Sequence, residues 1–201
     1  MESIALKIIN TSALADLEKE NAQLPDEKEK AARMLLIEAF MDKISDYDAH
    51  VWKYEYNKYL RYLIDRGIEF VPCEKSFLFT QWDALFSSLV PEQVKSNTMH
   101  YSDQFKWHIF SFGLLKALND LQARQAFNAQ EKGSLYMFFQ YGEKAFHIKN
   151  AALLSAEDLD VLSDHSTLDN ADMYIYDPLS KWTYVKTHEA SCGPYFYCSK
   201  E

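Results

Sequence analysis

The first 66 residues contain no glycine and a single proline, Pro25. A stretch that long without helix breakers is most easily satisfied by helix. From Ala31 to Arg66, Leu36, Phe40, Ile44, Tyr47, Val51 and Tyr54 recur at three- and four-residue steps. Trp52, Tyr56, Tyr59 and Leu63 continue the stripe on a shifted face. This spacing predicts one long amphipathic helix. Asp26 and Glu29 bring acidic groups to its positive end, and Gly67 supplies the stop. A shorter helix over 12–23 precedes it, which makes 21–26 the turn of a helical hairpin.

Beyond Gly67 the texture changes. Ile68–Pro72 reads as a strand, Leu78–Leu89 as a helix, and Pro91–Lys95 as the start of another. Phe105–Phe112 is dense in aromatic and β-branched residues and predicts a strand. Leu114–Gln130 reads as helix, and Leu135–Gln140 and Ala145–Ile148 as two strands joined at Gly142. Ser155 with Asp158 three residues on predicts a capped helix running to Leu162. Met173–Tyr176, Trp182–Thr187 and Tyr195–Cys198 are three further strands, with turns at Asp177–Pro178 and Cys192–Gly193–Pro194. The fold class expected is α+β: an N-terminal helical hairpin over 1–66, then an α+β domain over 67–201 with a mostly antiparallel sheet covered by helices.

Composition narrows the function classes. The net charge is −9, and the densest basic stretch, Lys28–Arg33, is interleaved with Glu29. A polyanion needs a basic patch, so nucleic acid is not an expected partner. Basic amphipathic helices for a membrane surface are missing, as is any apolar run of about 18 residues. Met1–Asn10 carries Glu2 and no basic leader, so a cytoplasmic location is expected. Three cysteines, Cys73, Cys192 and Cys198, fit reduced thiols better than a disulfide framework. The five glycines are scattered and form neither G-x-G-x-x-G nor a Walker-type loop, so no nucleotide cofactor is expected.

Four blocks of the C-terminal half carry a resemblance. They are Trp107–His108–Ile109–Phe110–Ser111–Phe112, Phe138–Phe139–Gln140, Trp182–Thr183–Tyr184–Val185–Lys186–Thr187–His188–Glu189, and Gly193–Pro194–Tyr195–Phe196–Tyr197. In this order they resemble the bacterial domain-of-unknown-function family 4275, over roughly residues 62–198. Phe112 stands where the family pattern has Tyr. The resemblance implies a small cytoplasmic bacterial protein and carries no activity with it.

Two functional readings remain. From Glu157 to Asp177 there are seven acids, and no Lys or Arg falls between Asn150 and Ser180. Such a field steers cationic partners. The leading expectation is a non-enzymatic binding protein, immunity- or inhibitor-like, that masks a basic partner such as a toxin through Glu157, Asp158, Asp160, Asp164, Asp169 and Asp172. The bland counterpart is a solvated loop that keeps the chain soluble. The aromatic-rich long helix offers a homodimer contact, or else a core. The alternative expectation is a small hydrolase or transferase built on His188, Glu189 and Cys192. His-Glu-Ala-Ser-Cys lacks the H-E-x-x-H spacing of zinc proteases, so no metal site is expected, and His188–Glu189 also reads as a polar clamp on a turn. In a strand, His108 would share a face with Lys106 and Phe110.

Overall fold

The computed structural model describes residues 11–97, 105–164, 172–189 and 191–199. The chain divides into two compact units, Met1–Trp52 and Lys53–Glu201.

In the first unit, helix α1 (Thr11–Ala22) turns into α2 (Glu27–Asp65), a helix of 39 residues that runs on into the second unit. Asp26 caps α2: its Oδ1 accepts the Lys28 N–H at 2.8 Å. Buried Asn21 donates through Nδ2 to the Lys30 carbonyl at 3.0 Å, tying the two helices, and Ile37 is buried beside them. Leu36 and Phe40, two residues of the predicted stripe, are exposed.

The second unit begins in the last turns of α2, where Tyr56 and Leu63 are buried. The Ile68 N–H reaches the Leu63 carbonyl and the Gly67 N–H the Ile64 carbonyl, a Schellman ending that needs the positive φ of Gly67 (98°). There follow β1 (Glu69–Pro72), α3 (Lys75–Leu85), a 3-10 turn at Ser87–Leu89 and α4 (Glu92–Asn97). Next come α5 (His108–Ser111), β2 (Leu118–Asn119) and α6 (Asp120–Asn128). The hairpin β3 (Ser134–Phe139) and β4 (Ala145–Lys149) leads through a 3-10 turn to α7 (Ala156–Asp164). The chain then lays down β5 (Met173–Asp177), β6 (Trp182–Lys186) and β7 (Tyr195–Cys198).

Seven strands form one sheet in the order β1-β4-β3-β5-β6-β7-β2, every neighbour antiparallel. The fold is α+β, with an N-terminal helical hairpin and an antiparallel sheet covered by helices. Strand alternation feeds two cores. Met137, Phe139, Met173, Ile175, Trp182, Tyr184 and Phe196 turn to the face covered by α6, α7 and the end of α2. Phe138, Tyr174, Tyr176, Val185 and Tyr195 turn to the face covered by α3 and α5. On that second face Trp82 is fully buried, and its Nε1–H donates to Thr183 Oγ1 at 2.9 Å.

Two sequence expectations are corrected. Phe105–Phe112 is not a strand: Trp107 starts a helical turn, with the Ser111 N–H on its carbonyl and the Phe112 N–H on that of His108. Trp107, Ile109 and Phe110 are all buried, which no two-residue period would allow. The helix read over Leu114–Gln130 is confined to α6. The Leu115 N–H is taken by the Ile109 carbonyl, and Leu118–Asn119 pair with Phe196 and Tyr195 as an edge strand. Among the described residues no helix is long and apolar enough to cross a membrane.

Candidate functional site

The site grows out of the β5–β6 hairpin. Asp177 sets the turn, its Oδ1 accepting the Leu179 N–H at 2.8 Å and the Ser180 N–H at 3.2 Å. That turn fixes the register, with Met173 opposite Lys186. One step further along, Asp172 falls opposite Thr187 and beside His188. The Asp172 carbonyl is held by the Gln140 N–H at 2.8 Å.

The Asp172 carboxylate is fully buried (0% exposed), while the His188 side chain remains 35% exposed. Oδ1 of Asp172 takes two bonds from one residue: the His188 backbone N–H at 2.8 Å and its Nδ1 at 2.8 Å. A carboxylate offers only lone pairs there, so Nδ1 carries the hydrogen and the free lone pair belongs to Nε2. Asp172 Oδ2 has no partner among the described residues. Nε2 lies 4.0 Å from Glu189 Oε1, beyond hydrogen-bond reach.

The rings of Phe105 and Trp107 flank the imidazole, with centroids 5.1 and 6.2 Å away. A hydrogen-bonded chain fixes this wall: the Trp107 N–H donates to the Tyr174 hydroxyl at 3.0 Å, which donates to Gln140 Oε1 at 2.9 Å. Burial, reinforced by the neighbouring Asp172 charge, pushes the Tyr174 hydroxyl far up, so it stays a donor. Tyr195 stacks on Trp107 with ring centroids 6.5 Å apart. His108, turned by the helix, packs on Trp107 at 4.1 Å and on Phe112 at 4.8 Å, not beside Phe110 as a strand would place it. The four sequence blocks, distant along the chain, therefore meet at this pair.

Cys192 is not part of the pair. Its backbone N–H bonds the Glu189 carbonyl at 3.0 Å, and the Thr187 hydroxyl reaches the Cys192 carbonyl, closing the turn. Burial first, then a bond with Glu189, pushes the thiol up, which keeps it protonated and poorly nucleophilic. Cys73, Cys192 and Cys198 are free thiols.

The acidic tract is used internally wherever it is described. Glu157 accepts from Asn128 Nδ2 at 3.2 Å. Asp158 is buried and takes the Tyr59 hydroxyl at 2.9 Å, Arg66 Nη1 at 2.8 Å and the Ser155 N–H at 2.9 Å. The Asp158 N–H returns a bond to Ser155 Oγ at 3.2 Å, completing the cap that the sequence announces. Asp160 receives Nε and Nη2 of Arg124 at 2.9 and 3.3 Å. Asp164 ends α7, and its side chain, like the whole of Asp169, lies outside the described residues. Sequence reasoning placed Asp172 in a partner surface; it is the buried anchor of His188. Among the described residues no group of three or more His, Cys, Asp and Glu is arranged to hold a metal ion.

A family model described as Domain of unknown function (DUF4275) matches residues 63–196. No curated protein matches the chain, and no solved structure does.

Proposed function

The chain belongs to the family of the Domain of unknown function (DUF4275), and on that premise we propose that it is a small cytoplasmic enzyme, a hydrolase working by general acid–base chemistry at His188. The observation that carries the reading is the buried Asp172 carboxylate, which holds both the backbone N–H and Nδ1 of His188 and leaves Nε2 as the free base. In the reaction Nε2 takes a proton from water as the water oxygen bonds to the electrophilic atom of the substrate. The same proton then passes to the leaving group as its bond breaks. Asp172 holds the ring in one tautomer and stabilises the imidazolium between the two steps. Cys192 has no part in this scheme. Free thiols agree with a reducing compartment.

The masking of a basic partner through Glu157–Asp177 has less to stand on. The carboxylates it would present in Glu157, Asp158, Asp160 and Asp172 already have partners within the chain. The test is a panel of ester, amide and phosphodiester substrates assayed with the wild type, His188→Gln and Asp172→Asn, each checked for native folding by circular dichroism. His188→Gln is expected to lower kcat by about 10²- to 10⁴-fold. Asp172→Asn should lower kcat with little change in KM. A panel in which no turnover depends on His188 sinks the reading and leaves the pair as a clamp on the turn.

A further inference from the structure

We propose that Glu189 makes this site selective for substrates that carry a positive charge next to the reacting bond, an inference that rests on the acid–base reading of His188. The side chain of Glu189 is 43% exposed and its Oε1 stands 4.0 Å from Nε2, the atom at which the proton moves. A carboxylate this close faces whatever sits against the imidazole.

The charges around it point the same way. Asp172, held at the Nδ1 edge of the ring, adds a second carboxylate, and its Oδ2 is buried without a partner among the described residues. The lysines of the neighbourhood are committed elsewhere. Lys106 Nζ lies 2.6 Å from both Asp83 oxygens and 3.8 Å from the Phe79 ring. Lys75 Nζ is spent on the carbonyls of Gln140 and Gly142 at 2.9 and 2.7 Å. Lys186 shares by strand alternation the sheet face of Tyr184, which is the face away from Trp107 and Tyr174. Among the described residues, no Lys or Arg pairs with Asp172 or Glu189. A phosphate or carboxylate substrate would meet the Glu189 carboxylate, backed by the buried charge of Asp172, and no compensating cation among the described residues. An ammonium group would meet Glu189 and, at the rim, the half-exposed rings of Phe105 and Tyr141, which pack edge to face at 6.0 Å. Aromatic faces attract cations and not anions.

Three ligands of matched shape and different charge test this: benzyltrimethylammonium, benzyl alcohol and benzoate. Each is titrated into the whole chain while the Hε1 proton resonance of His188 is followed, in the wild type and in Glu189→Gln. The ammonium ligand is expected to bind roughly tenfold more tightly than the alcohol, the size of one exposed ion pair reinforced by a ring face. Benzoate is expected to bind least, and the ammonium preference should collapse in Glu189→Gln. Equal affinity for all three, binding of none, or a preference that survives Glu189→Gln overturns the inference. Those results leave the acid–base reading standing if His188→Gln still abolishes turnover. Conversely, a Glu189-dependent preference with no His188-dependent turnover keeps the cation site and removes the enzyme.

Discussion

Replacing Asp158 by Asn tests whether the acidic tract is a surface or a scaffold. The substitution preserves shape and removes the charge. The Asn oxygen can still accept from Tyr59, but its amide then faces the Ser155 N–H, which now lies 2.9 Å from Oδ2. One helix cap is lost, at about 1 kcal/mol. The bond from Arg66 Nη1 at 2.8 Å loses its charge-assisted character in a position where the Asp158 side chain is only 8% exposed. A buried donor left facing a donor costs about 1–3 kcal/mol. Together these give roughly 3 kcal/mol, which for a chain of this size lowers Tm by about 6–12 °C. The pH dependence follows as well. Burial pushes the Asp158 carboxyl up, but the bonds from Ser155, Tyr59 and Arg66 outweigh it and leave the carboxyl below its ordinary value. A depressed carboxyl contributes stability that is complete above the unfolded value of about 3.9 and disappears as pH falls through the folded value. Asn does not titrate, so the gap between wild type and variant must narrow in acid. Urea unfolding followed by tryptophan fluorescence at neutral and acid pH measures both effects. A variant within about 0.5 kcal/mol of wild type at neutral pH behaves as a surface substitution, and that result, or a gap that widens in acid, refutes the scaffold argument.

Two further outcomes follow from the structure. Trp82→Phe removes the Nε1–H that bonds Thr183 Oγ1 at 2.9 Å in a fully buried setting; a loss of about 1–3 kcal/mol in urea unfolding is expected, and an unchanged midpoint refutes the role of the bond. Cys192, its thiol pushed up by burial, is expected to react with iodoacetamide more slowly than an unhindered thiol at neutral pH and to speed up as pH rises, while Cys192→Ser leaves His188-dependent turnover unchanged. Alkylation faster than that of a free thiol would contradict both parts.

Much of the architecture was legible in local pattern. The glycine-free start announced α2, Gly67 its end, and the turn residues Gly142 and Asp177–Pro178 the hairpins, because each of these signals acts within a few residues. Trp107 to Phe112 misled for the opposite reason. Their aromatic and β-branched side chains satisfy a strand and a buried helical turn equally well, and packing against Tyr174 and Tyr195 decided between them. Asp172 was the costliest error. Charge runs advertise solvent exposure, and nothing local marks Asp172 as buried. The register of the β5–β6 hairpin does mark it: counting back from the Asp177 turn brings Asp172 level with Thr187, next to His188. His188 and Glu189 stood out in the sequence as a polar pair, but the partner that fixes the imidazole lay 16 residues away in the chain.

The strand order also carries a history of assembly. β3–β4, β5–β6 and β6–β7 are joined by short turns, so each can close with little loss of chain entropy. The two outermost strands are recruited from far upstream, Glu69 to meet Lys149 and Leu118 to meet Phe196. Loop closure therefore favours the β3–β4 hairpin and the β5–β6–β7 meander first, their union leaving β4 and β7 as raw margins, and the arrival of β1 and β2 as the sealing step. The seals are minimal: β1 is four residues ending in Pro72, and β2 only two. Short, proline-ended borders are poor templates for another chain. A lesion that delays their arrival, such as one in the turn at Gly67, would act on clumping during folding more than on the finished molecule.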